Sequence, residues 1–174
     1  MRRAEEPRGD QRRAQKEAFV TSSVLVALRV KASPERAFDV FTGEIGDWWR
    51  ADGLFQITPH GDGVLAFEGG AGGRLVTHLP TGKAYEIGRV TDWRRGEKLA
   101  FTWRPAGLAP GLTTRVEVEF EPQGAETRVT VRHFGWVEIP QEHAVRHGFP
   151  DRFTLLRAAD WWRRSLGALG DRLV

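Results

Sequence analysis

Few side chains in this chain have the type and spacing that chemistry requires, and His133 heads them. In "TRVTVRHF" (127–134) strand alternation sets Val129, Val131 and His133 on one face against Arg128, Thr130 and Arg132. An imidazole on an apolar face is either a satisfied core residue or a polar anchor or general base. Asp92 and Glu86 share the phase of Val90, so one of them is expected to turn inward and pair with Arg74 or His133. A structural ion pair is the alternative, because a buried carboxylate without a partner is costly.

The other candidates are weaker. His143 and His147 stand four apart in "HAVRH", a spacing used by metal sites on helices. No Glu lies between them, no third ligand is in view, and the segment reads as a loop, so no metal and no cofactor are expected. "EGGAGGRL" is glycine-rich, but no Gly-Lys-Ser/Thr follows and no helix opens after it. It reads as a hairpin turn, not a phosphate cradle. None of Ser22, Ser23, Ser33 and Ser165 lies in a Gly-x-Ser-x-Gly elbow.

Aromatic residues are the stronger signal. The chain has 7 Trp, two adjacent pairs among them: Trp48–Trp49 in "IGDWWRADG" and Trp161–Trp162. Each indole belongs either to the core or to the wall of a cavity. A helix turns neighbours about 100° apart, so "WW" after a glycine suits the lip of a cavity, one ring turned inward and the other against a sheet edge.

At 174 residues, with 40% hydrophobic and 28% charged, the chain has the length and composition of one globular domain. No run of 18 apolar residues is present, the first residues lack the apolar core of a secretory signal, and there is no cysteine. A cytoplasmic protein without disulfides is therefore expected, with no membrane association. The net charge of +3 comes largely from a mixed-charge arm over residues 1–18, expected to be disordered or loosely helical. Basic residues elsewhere alternate with acidic ones, which argues against nucleic acid.

These residues must be positioned by a domain over 19–174. "SSVLVALRVKA" (22–32) reads as a strand, and "SPERAFDVFT" as a short helix with Ser33 as N-cap and Pro34 at its first position. "EIGDWW" adds one more turn. Period-two patterns follow at 64–69, 73–79, 84–93, 97–103, 113–121 and 127–134, joined by short Gly- or Pro-bearing turns. This is an antiparallel meander with one wet and one apolar face. Leu155, Ala159, Trp162, Leu166, Leu169 and Leu173 recur at helical spacing, and Asp151 is a candidate N-cap. The long C-terminal helix they form is the expected cover of the apolar face. The fold class is α+β: a curved antiparallel sheet of about six or seven strands gripping one helix.

In this order the segments "VKASPERAFDVFT…WW" (30–49), "FEGGAGGRL" (67–75), "GRVTDWRRGEKLAFTW" (88–103), "TRVEVEFEPQGAETRVTVRHFGW" (114–136) and the Trp and Leu spacing of 162–173 resemble the START-related, birch-pollen-allergen-like (SRPBCC) superfamily. The branch they resemble is that of homologues of the activator of the heat-shock-protein-90 ATPase. The resemblance implies a helix-grip fold with a central cavity for apolar or amphipathic molecules. Where the branch usually carries an acidic residue after the glycine pair, this chain reads Arg74-Leu75-Val76-Thr77-His78, so no acidic role is carried over.

Three functions follow as expectations. The first is a binding protein holding a hydrophobic or aromatic small molecule against Trp49, Phe67, Phe101, Trp103, His133, Trp136 and Trp162. The second is a cyclase or hydrolase-like enzyme in the same cavity, with His133 and Asp92 or Glu86 doing acid–base work on a polyketide-like substrate. The third is an interaction protein, a chaperone cofactor using the outer sheet face or a weak homodimer.

Overall fold

The computed structural model describes residues 23–50, 56, 58, 63–104, 107–109 and 111–174; the arm expected over 1–18 lies outside the described residues. Strand β1 (Val24–Val30) leads into helices α1 (Pro34–Gly43) and α2 (Ile45–Trp48). Strands β2 (Val64–Glu68), β3 (Arg74–His78), β4 (Ala84–Arg94), β5 (Lys98–Trp103), β6 (Thr114–Gln123) and β7 (Glu126–Phe134) follow, and α3 (Asp151–Asp171) closes the chain. The strands form one 7-stranded antiparallel sheet in the order β1-β7-β6-β5-β4-β3-β2. The expected meander is therefore present, with β1 returning to pair with the last strand.

Alternation sets the inner face as expected. Leu99, Phe101 and Trp103 on β5, Val116, Val118 and Phe120 on β6, and Val129, Val131 and His133 on β7 are all buried. At the start of α1 the Ser33 hydroxyl accepts from the Arg36 backbone N–H at 3.2 Å, with Pro34 at the first helical position. That satisfies one of the four N–H groups a helix leaves open. Ala37, Phe38, Val40 and Phe41 then seat α1 in the core.

Helix α3 covers the sheet on a wider face than the expected stripe. Thr154, Ala158, Trp161, Trp162, Ser165, Leu166 and Leu169 are buried, whereas Leu155 and Ala159 are only half-buried. The buried line runs one residue earlier over the first two turns. The sheet touches more than a single 3-4 row, so neighbours 161 and 162 both go inward. Of the two glycines in this helix, only Gly170 reflects close packing: a Cβ there would lie 3.1 Å from Leu28 Cδ2, while at Gly167 it would meet nothing within 4 Å.

Asp151 is not the cap but the first helical residue, after Pro150. Its carboxylate accepts from Arg146 at 2.7 Å. Arg146 itself is 2% exposed, and its guanidinium also donates to the Ile139 carbonyl at 2.8 Å and the Phe149 carbonyl at 2.7 Å. One buried side chain thus ties the segment after β7 to the start of α3. Replacing Arg146 by Met keeps the stem and removes the donors. At about 1–3 kcal/mol for each buried group left unpaired, the variant is expected to unfold at clearly lower urea concentration. An unchanged midpoint would show that the network contributes nothing.

Candidate functional site

The centre of the molecule, between the sheet and α3, is built of indoles. Helix α2 ends at Trp48, and Trp49 takes extended backbone (φ −60°, ψ 130°). That change of conformation lets both neighbours be buried, at 0% and 7% exposure. Trp48 packs on Phe41 at 4.7 Å and donates its N–H to the Phe41 carbonyl at 3.1 Å. Trp49 turns the other way, meeting Trp103, Trp161 and Trp162 at 5.8, 4.9 and 5.3 Å between ring centroids, all edge-to-face. Trp103 stacks on Trp161 at 5.0 Å with 13° between planes. Trp136, at the start of the turn after β7, reaches Trp103 at 5.8 Å and His133 at 4.9 Å.

The expected site residues Trp49, Trp103, His133, Trp136 and Trp162 therefore meet in one group. Phe67 and Phe101 do not stand among these indoles: they contact each other at 5.2 Å, and Phe67 meets Trp93 at 5.9 Å, on the side of the sheet nearer α1. The rings of the indole group touch one another rather than standing apart as walls. Among the described residues, a groove of about 520 Å³ lies between the start of β1 and the first turns of α3, lined by Val24, Leu25, Leu155 and Leu156 among others.

His133 lies fully buried within this group, and its hydrogen bonds assign its protonation. Trp162 Nε1 lies 3.0 Å from His133 Nδ1. An indole nitrogen can only donate, so Nδ1 is the acceptor and carries no proton. The neutral ring then bears its proton on Nε2, which donates to Thr114 Oγ1 at 2.7 Å. The Thr114 hydroxyl passes its own hydrogen to the Trp103 carbonyl at 2.8 Å. A directed chain runs from α3 through β7 to β6 and β5. Burial, by withholding water from the imidazolium, pushes the His133 pKa down to about 3.

The carboxylates are not brought to this histidine. Glu86 pairs with Arg89 at 2.7 Å and Asp92 with Arg94 at 3.2 Å, and each side chain is about a third exposed. The physical reason is two β-bulges in β4. Opposite β3 the register runs Leu75↔Gly88 then Val76↔Glu86, and opposite β5 it runs Val90↔Phe101 then Asp92↔Ala100. Each inserts one residue and resets the alternation, so the shared phase with Val90 is lost on both sides. Gly88, at the first bulge, lets β4 come close to β5, since a Cβ there would lie 1.6 Å from the Thr102 carbonyl oxygen. Arg74 pairs with Glu68 at 3.0 Å instead.

His143 caps a short turn, its Nδ1 accepting from the Val145 N–H at 3.2 Å. Among the described residues no group of three or more His, Cys, Asp or Glu side chains is placed to hold a metal ion. Among the described residues, Trp49 Nε1 and Trp103 Nε1 in the central group are buried with no hydrogen-bond partner, as is the Ser165 hydroxyl.

The family described as Activator of Hsp90 ATPase homolog 1-like protein matches residues 31–168. The chain belongs to that family. A search of curated proteins returns no match. Among solved structures, protein MLL2253 from Mesorhizobium loti is 18% identical with a TM-score of 0.59, over 86% of this chain and 94% of its own. The Aha1 dimer from Colwellia psychrerythraea is 20% identical with a TM-score of 0.57, over 87% and 95%. The anthrahydroquino-gamma-pyrone synthase Txn09 is 29% identical with a TM-score of 0.51, over 84% and 96%. The seven-stranded sheet with its long C-terminal helix is the helix-grip fold of this Aha1-like, SRPBCC-type family. Among the described residues no helix is long and apolar enough to cross a membrane.

Sequence reasoning missed Trp161, Thr114, Ser165 and Arg146. A wider apolar stripe includes Trp161. The phase of Val116 places Thr114 on the inner face, and its partnership with His133 depends on the β6–β7 register.

The pKa of His133 gives a stability prediction. Its folded value lies below the ordinary 6.5, so the unfolded chain binds the proton more readily. The stabilisation is complete above about pH 6.5 and is lost as pH falls toward 3, at up to about 1.4 kcal/mol per pH unit. In urea titrations across that window the wild type is expected to lose more stability than His133→Gln, which has no proton to take up. A constant gap between the two proteins would contradict the assignment.

Proposed function

We propose that this protein holds a hydrophobic or aromatic small molecule between the inner face of its sheet and α3, and that it acts by binding rather than by catalysis. The observation that carries this reading is the convergence of Trp49, Trp103, Trp136, Trp161 and Trp162 around His133, with indole donors buried and unpartnered among them. Buried polar hydrogens are normally satisfied, and a guest with acceptor atoms is one way to satisfy them. The likeness to a synthase of fused-ring aromatic products supports an aromatic guest.

Insertion of a guest between Trp49 and Trp103 requires that pair to part. A planar ring needs van der Waals contact of about 3.5 Å on each face, about 7 Å in all, and Trp49 and Trp103 are 5.8 Å apart. Trp49 is the ring to move: at 7% it is more exposed than its indole neighbours, and it follows α2 in extended backbone.

Chemistry at His133 is the less favoured reading. A general base needs a free lone pair toward the substrate, and Nδ1 already accepts from Trp162. A chaperone partner at the outer sheet face is the third reading; charges there pair with one another in Lys98–Glu117 and Arg132–Glu119.

Native mass spectrometry and Trp-fluorescence titration with fused-ring aromatics and acyl-chain lipids test the proposal. One-to-one complexes with shifted indole emission are the expected result. Unliganded mass and unchanged emission across the panel would overturn it.

A further inference from the structure

The unpartnered groups also specify the guest. Trp49 Nε1 and Trp103 Nε1 are donors only and are fixed on two separate elements, the end of α2 and the end of β5. Ser165 adds a buried hydroxyl without a partner on α3, one turn beyond Trp161 and on the same helix face. A buried donor left unmade costs about 1–3 kcal/mol, so the two indole N–H groups express a preference for acceptors, one that the Ser165 hydroxyl, able to donate or accept, is also able to meet.

Charge narrows the class further. The buried polar and charged side chains among the described residues are threonines, Ser165, His133 and Arg146. His133 is neutral with both ring nitrogens engaged, and Arg146 is spent on the carbonyls of Ile139 and Phe149 and on Asp151. A carboxylate guest would meet no free buried cation there, and an ammonium guest no buried anion. Resting on the binding role proposed above, we infer that the guest is a neutral planar aromatic ketone or quinone whose carbonyl oxygens accept from Trp49 and Trp103. The flat ring lies among the indoles.

Fluorenone and fluorene form a matched pair for the test: the same flat skeleton, with a carbonyl in one and a methylene in the other. Binding is read by titration, and the indole N–H signals by ¹H–¹⁵N correlation spectra assigned with Trp49→Phe and Trp103→Phe. The expected result is fluorenone bound about tenfold or more tighter than fluorene, a factor worth about 1.4 kcal/mol. The Trp49 and Trp103 N–H signals shift downfield with fluorenone only, and the preference shrinks in either Phe variant. Should a variant fold poorly, the ratio of fluorenone to fluorene affinity in the unaltered protein still tests the inference. Equal affinity for the two compounds, or a preference with both N–H signals unmoved, would overturn the inference and leave the binding role standing. If neither compound binds and the wider aromatic panel also fails, both fall together.

Discussion

One hydrogen bond ties the two layers of this molecule together at its centre: the Trp162 N–H on α3 given to Nδ1 of His133 on β7. It forces the imidazole to be neutral, sends the ring proton to Thr114, and so orders a path to the backbone of β5. A second indole makes the matching link on the other side, Trp161 donating to the Arg50 carbonyl at 2.6 Å just past α2. Adjacent residues of one helix thereby hold the sheet and the short helices. Each ring also removes about 150–250 Å² from water, roughly 4–6 kcal/mol at 25 cal/mol/Å². The hydrogen bonds add little to that sum. Their contribution is direction: they fix the helix in one rotation and one register over the sheet.

The same arrangement underlies the proposal of binding over catalysis. A histidine whose nitrogens are both used inside the protein supports the indoles without offering a lone pair to a substrate. The carboxylates that would have completed an acid–base pair stand on the other side of two bulges, held by arginines. What remains at the centre is apolar surface and a few uncharged donors, a set suited to recognition of shape and acceptor position.

Much of this was legible in the residues. Period-two patterning and Gly-bearing turns gave the meander, the Ser33-Pro34 pair gave the start of α1, and inward placement of His133 followed from simple alternation. The failures share one origin. Alternation holds only where the ladder is unbroken, and nothing in "AYEIGRVTDW" announces a bulge except a glycine whose role depends on the neighbouring strand. Helical periodicity likewise assumes a flat partner, and the sheet over α3 contacts a broader face. Arg146 was invisible because its partners are backbone carbonyls, whose positions no sequence pattern records.

The most direct measurement is the tautomer of His133, read from long-range ¹H–¹⁵N spectra of its imidazole at mildly acid pH. The account predicts a neutral ring with the proton on Nε2 and a bare Nδ1. A proton on Nδ1, or a charged ring under those conditions, would mean that Trp162 does not donate to it and that the helix is not held to the sheet in the way described.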